Sequence, residues 1–164
     1  MATGGFLLAV FILGLTGCAS SSGGGGWSGR GSDFHELHLF VRPLPLQANP
    51  TDGAYGLAVR VFASNRSRPK GVPISSGTLE ILAYDGTLPE AGAPPVQPAQ
   101  VWSHPAANLP PFAVTSSLGT GYELALQWQG LRPRSSRLTL VARLVFAPGT
   151  SLQSAPSVIV NALK

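Results

Sequence analysis

The stretch Tyr55-Gly56-Leu57-Ala58-Val59-Arg60-Val61-Phe62-Ala63 decides the fold. Tyr55, Leu57, Val59 and Val61 recur at every second position, with Ala58 and Arg60 between them, which is the pattern of a strand with one buried face. The same period extends outward in both directions. In "HELHLFVR", Leu37, Leu39 and Val41 share one face and His38, Phe40 and Arg42 the other. "GTLEILAYDG" sets Leu79, Ile81 and Ala83 against Glu80, Leu82 and Tyr84, and Asp85-Gly86 supplies a turn. "GYELALQWQG" sets Tyr122, Leu124, Leu126 and Trp128 against Glu123, Ala125 and Gln127. "RLTLVARLVFA" sets Leu138, Leu140, Ala142 and Leu144 against Thr139, Val141 and Arg143, and "SVIVNALK" repeats the pattern weakly.

No window carries the apolar spacing of three and four, with capping residues, that a helix needs, and no internal repeat of fixed period stands out. The 20 glycines and 15 prolines favour many short elements joined by turns. Seven prolines between Leu88 and Pro111 exclude a central strand from most of that segment and leave "AQVWSH" as a short edge strand. The expectation is an all-β domain over residues 34–164, an antiparallel sandwich of about seven to eight strands.

Composition narrows the function. Hydrophobic residues at 44% and charged residues at 11% exclude the signature of a disordered chain. The net charge of +4 and the pI near 9.8 reflect a shortage of acids more than a basic field. The bases are scattered, apart from Arg60, Arg66, Arg68 and Lys70, and then Arg132, Arg134 and Arg137. Both groups flank turns without interleaved aromatics, so they read as solvated. Anionic envelope polymer or lipid headgroups are the alternative, and no nucleic-acid partner is expected. A single cysteine, Cys18, allows no internal disulfide.

Phe6 to Leu15 is an apolar run of about ten residues, the length of a signal-peptide core and short of the roughly 20 needed to cross a bilayer. It ends in Leu15-Thr16-Gly17-Cys18, which resembles the lipobox of a bacterial lipoprotein signal. The resemblance implies a diacylglyceryl group on the Cys18 thiol, cleavage between Gly17 and Cys18, and acylation of the new amino terminus. Leu15, Thr16 and Gly17 would be the signal-peptidase recognition residues. "MATGG" departs from the pattern in carrying no Lys or Arg. Two or more acyl chains give stable anchoring, so the membrane is the partner implied through Cys18, and Ala19 after the cysteine favours the outer membrane by analogy with bacterial sorting. Residues 1–17 are then a signal peptide, and residues 18–33, "CASSSGGGGWSGRGSD", are the lipidated cysteine and a Gly/Ser-rich tether reaching about 20 Å. Trp27 within it is either an interfacial aromatic or a chance linker residue.

The chain offers little for catalysis. Its acids are Asp33, Glu36, Asp52, Glu80, Asp85, Glu90 and Glu123. Asp52 and Asp85 precede glycine in turns, while Glu80 and Glu123 take outward strand positions. No G-x-S-x-G elbow occurs, and no glycine cluster opens a helix to cradle phosphate. His35 and His38 stand three apart on a strand, so they face opposite ways and cannot share an ion unless the segment is irregular; His104 is far off beside Pro105. No metal, no cofactor and no enzymatic activity are expected. Trp128, in phase with Tyr122 and Leu124, reads as core. Phe40 and Tyr84 fall out of phase with the inward sets and, with Trp102, form a possible binding patch.

"LAVRVFASN", "GTLEILAYDG", the Pro-rich segment, "GYELALQW" and "LTLVARLVFAPG" together resemble a family of uncharacterised lipoproteins and secreted proteins of planctomycete-type bacteria. The likeness spans roughly Leu57 to Gly149 and implies an Ig-like or transthyretin-like sandwich, with no chemistry to carry over. "ANPTDGAYGLAVRVF" also resembles the small outer-membrane lipoprotein of type VI secretion, in the lipobox, the Asn49-Pro50 before the strand and Val59-Arg60-Val61-Phe62. That likeness implies a lipid-tethered sandwich whose loops hold an envelope-spanning partner. The expected function is a lipid-anchored module of the cell envelope, structural or binding, working through protein or polymer contacts. The alternatives are an anchoring role of the type VI kind and a periplasmic enzyme with an unrecognised loop site.

Overall fold

The computed structural model describes residues 34–49, 54–65, 68–89, 96–130 and 133–161. Leu15, Thr16, Gly17, Cys18 and the segments 1–17 and 18–33 lie outside the described residues. The rest is all-β, two sheets packed face to face.

The first sheet holds β1 (Phe34–Asn49), β2 (Ala54–Asn65), β3 (Arg68–Val72), β7 (Gly119–Gln127) and β6 (Ala113–Ser116), in that order. The second is ordered β10 (Ser157–Val160), β8 (Arg137–Ala147), β4 (Thr78–Asp85) and β5 (Gln100–Pro105), with β9 (Thr150–Gln153) also on β8. The described residues form ten strands where seven or eight were expected. β3, β6 and β9 were not legible because each is four or five residues long, too short for alternation to show, and β3 carries a proline. The sandwich is antiparallel except for one parallel bridge, Gly71 to Gly119, where β3 fills the space beside β7.

The inward sets of the two sheets meet as the alternation requires. Leu37, Leu57, Val59, Val61, Tyr122, Leu124 and Leu126 come from one sheet and Leu79, Ile81, Leu138, Leu140 and Leu144 from the other. A buried hydroxyl needs a partner, and Tyr122 finds one by accepting the Ile74 N–H at 2.8 Å. The only helical turns among the described residues are two 3₁₀ turns, Ala106–Asn108 and Pro110–Phe112, and Leu109 between them is wholly buried in the core.

β9 and β10 behave as one edge strand broken near Pro156. Across the break Ser154 keeps the ladder intact: its N–H donates to the Ala142 carbonyl at 2.9 Å and its hydroxyl accepts the Ala142 N–H at 3.0 Å. One expectation of the alternation fails in degree. Leu82 and Val141 sit opposite each other on the outward face of the second sheet yet are 2% and 3% exposed, and Thr139 is fully buried. All three lie on β4 and β8, the central strands, which are flanked by paired strands on both sides.

Candidate functional site

The three residues of the expected aromatic patch are not brought together. Phe40 stands on the outward face of the first sheet, 52% exposed. Tyr84 stands on the outward face of the second, opposite Thr139. Trp102 is paired in register with Ile81, and therefore faces inward with it; its ring meets Trp128 edge-on at 5.7 Å. It is a core-edge residue, because the register with β4, not the local sequence, sets its face.

Around Phe40 the structure builds something the sequence did not announce. Phe62 also points outward, on the neighbouring strand and diagonal to Phe40, since His38 is its direct partner and Arg60 is the partner of Phe40. Despite facing away from the core, Phe62 is only 3% exposed. Two glycines make room for its ring. A Cβ at Gly121 would lie 2.6 Å from the ring, and one at Gly71 would lie 2.8 Å from it and 2.3 Å from the Thr120 carbonyl oxygen. Phe40 then closes over Phe62 edge to face, with centroids 5.8 Å apart and planes at 87°, the arrangement favoured by opposed ring quadrupoles.

The far wall comes from the β6–β7 hairpin. Gly119 takes φ +94°, a conformation that suits glycine, and Ser116 accepts the Leu118 N–H at 3.2 Å. The Leu118 carbonyl in turn accepts the Gly71 N–H at 2.7 Å. The Leu118 side chain is thereby presented at the hairpin tip, 55% exposed. His38, Phe40, Phe62, Pro69, Gly71 and Leu118 line one open, apolar groove. Out-of-phase aromatics on two adjacent strands, Phe40 and Phe62, are the signal in the sequence that could have found it.

Along the same face runs a charged cluster. Arg42 donates to Glu123 at 2.5 Å and Arg60 donates to the same carboxylate oxygen. The hydrogen bond from Arg60, opposed by desolvation and reinforced by the charges of Arg42 and Arg60, holds Glu123 below the ordinary carboxylate range. Two guanidinium groups against one carboxylate leave this cluster with a single net positive charge.

Among the described residues, Glu80 and Asp85 are engaged structurally. Glu80 pairs with Arg143 at 2.7 Å on the other outward face. Asp85 accepts the backbone N–H groups of Arg134 and Ser135 at 2.9 and 2.8 Å, and the bond from Arg134 leads in lowering its pKa. His38 lies 3.4 Å from Glu36. His104 packs edge-on against Phe112, its Nε2 is buried without a hydrogen-bond partner, and burial lowers its pKa. Among the described residues no group of three or more His, Cys, Asp or Glu could hold a metal ion, and no helix is long and apolar enough to cross a membrane.

The candidate site is thus an open apolar groove on the outer face of a β-sandwich, beside a cluster with one net positive charge. No protein family, curated protein or solved structure matches the chain.

Proposed function

We propose that this protein is a lipid-anchored module of the bacterial cell envelope, held by acyl chains on Cys18, favoured at the outer membrane, and acting by contact and not by catalysis. The observation that carries the reading is the order of the amino-terminal sequence. An apolar run of signal-peptide length is followed at once by Leu15-Thr16-Gly17-Cys18, a Gly/Ser-rich segment and then the first strand of a sandwich. The groove of Phe40, Phe62 and Leu118 supports a role in contact, since exposed contiguous apolar surface marks interaction sites. The engagement of Glu80, Asp85 and Glu123 in ion pairs and backbone bonds supports the same reading.

Intact-mass measurement of the full chain produced in a bacterial host tests it. The expected product begins at Cys18 and carries fatty-acyl groups. A mature chain without fatty acids, or one retaining residues 1–17, overturns the proposal.

A further inference from the structure

We infer that the groove face of the first sheet is a membrane-docking surface, which lays the domain on an anionic lipid bilayer through Phe40 and Leu118. The inference rests on the lipid-anchor reading above and specifies what the anchored domain does with its exposed face.

Three observations converge on a lipid surface as the occupant. The first is the shape of the site. Leu118 protrudes from a hairpin tip and Phe40 lies open beside it, each more than half exposed. Pairs of this kind can enter the headgroup boundary, where aromatic and aliphatic side chains are favoured.

The second is charge. The Arg42, Arg60 and Glu123 cluster adjoining Phe40 on this face carries one net positive charge. Anionic headgroups attract such cations by about 1 kcal/mol each.

The third is the point where the chain enters. β1 starts at Phe34, which is paired with Asn65 at the end of the first sheet, and the groove occupies this same half of the sheet, with His38 opposite Phe62 and Gly71 bonded to Leu118. The fifteen residues between Cys18 and Phe34 can span at most about 55 Å even fully extended. A chain acylated at Cys18 therefore keeps this half of the domain within reach of the bilayer. Tethering of this kind raises the effective concentration of the second contact to the millimolar range, so even a weakly binding surface becomes occupied.

The test uses the full chain, processed in its bacterial host and reconstituted into vesicles of phosphatidylcholine and phosphatidylglycerol. Acylation consumes the Cys18 thiol, so a second cysteine takes a fluorophore alone. Ser117→Cys, beside Leu118 at the hairpin tip, reports on the groove and Val158→Cys on the outward face of the second sheet, with quenching by nitroxide-labelled lipid as the readout. The expected result is much stronger quenching at position 117 than at 158. The ratio of docked to undocked domain should fall about fivefold for the one net cation when phosphatidylglycerol is omitted, the factor that about 1 kcal/mol represents. In the Ser117→Cys chain, Phe40→Ser should abolish the excess quenching while circular dichroism stays unchanged.

Equal quenching at the two positions, or stronger quenching at 158, overturns the inference. So does protection of position 117 only in native envelopes, which would make the groove a protein-docking site. The anchor is judged separately by mass. If Cys18 carries no fatty acid, the anchor reading fails, and the face is tested by co-sedimentation of the unlipidated chain with the same vesicles. Pelleting no greater than that of its Leu118→Ser variant then overturns the inference as well.

Discussion

The indole N–H of Trp102, on the edge strand of the second sheet, donates at 2.8 Å to the backbone carbonyl of Gln127 on the first. It joins the two layers at the open side of the sandwich, where Trp102 and Trp128 meet edge-on. Replacing Trp102 with Phe keeps most of the apolar bulk but leaves that carbonyl without its donor, and should cost about 1 kcal/mol. Trp102→Ala should cost about 3 kcal/mol or more, because the packing is lost as well. Urea denaturation of both variants checks the difference; no loss in Trp102→Phe would mean that the hydrogen bond contributes nothing.

The seat of Phe62 predicts an unusual sensitivity to a single methyl group. Gly121→Ala should destabilise the protein by about 1–3 kcal/mol, as overpacking does, because the new Cβ meets the aromatic ring. Shortening the ring in a Phe62→Leu background should recover part of that loss. Gly71→Ala should be worse and should resist rescue, since there the Cβ also meets the backbone carbonyl of Thr120. Melting temperatures of the three single and two double variants decide this, and full rescue of Gly71→Ala would contradict the geometry.

Acid should weaken the fold through Glu123 and Asp85. Both folded-state pKa values are lowered, by the Arg60 hydrogen bond for Glu123 and by the Arg134 N–H for Asp85. The unfolded chain therefore binds protons first as pH falls. Stability from these pairs is present above the ordinary carboxylate pKa and is lost as pH drops through the lowered values. Glu123→Gln and Asp85→Asn should each flatten the acid limb of a plot of stability against pH; an unchanged slope in both would refute the assignment.

His104 should add a step at higher pH. Burial lowers its folded pKa from the ordinary value of 6.5, so the contribution is intact above that value. It is lost progressively as pH falls from there to the folded value, because only the unfolded chain is free to take the proton in that window. NMR titration of the imidazole, with His104→Leu as the control, should show the lowered pKa and the loss of the step.

Asn161 ties the end of the second sheet to the loop before β8. Its amide donates to the carbonyls of Pro133 and Ser135 at 3.2 and 2.7 Å, and its N–H donates to Ser136. Asn161→Ala leaves two carbonyls without that donor and should cost about 1–3 kcal/mol. Asn161→Asp, which cannot donate from its side chain, should cost at least as much. Denaturation midpoints of the two variants check the order.

Strand identity was legible wherever a strand was long and buried on one side. Leu57, Val59 and Val61, or Leu138, Leu140 and Leu144, announce their face because side chains alternate with the pleat and the hydrophobic effect sorts them. That rule is local, and it fixed the all-β class, the inward positions of the buried strands and the packing of Trp128 against the core from the residues alone. What it could not reach is pairing. Whether Trp102 faces in or out depends on its register with Ile81, and "AQVWSH" has apolar residues in both phases. The short strands β3, β6 and β9 are held by their neighbours more than by any pattern of their own. The groove is wholly a tertiary product: Phe40, Phe62, Gly71 and Leu118 come from β1, β2, β3 and the β6–β7 turn. Only the order of strands brings them to one face, because sheet hydrogen bonding joins residues distant in sequence and hydropathy along the chain carries no record of which strand lies beside which.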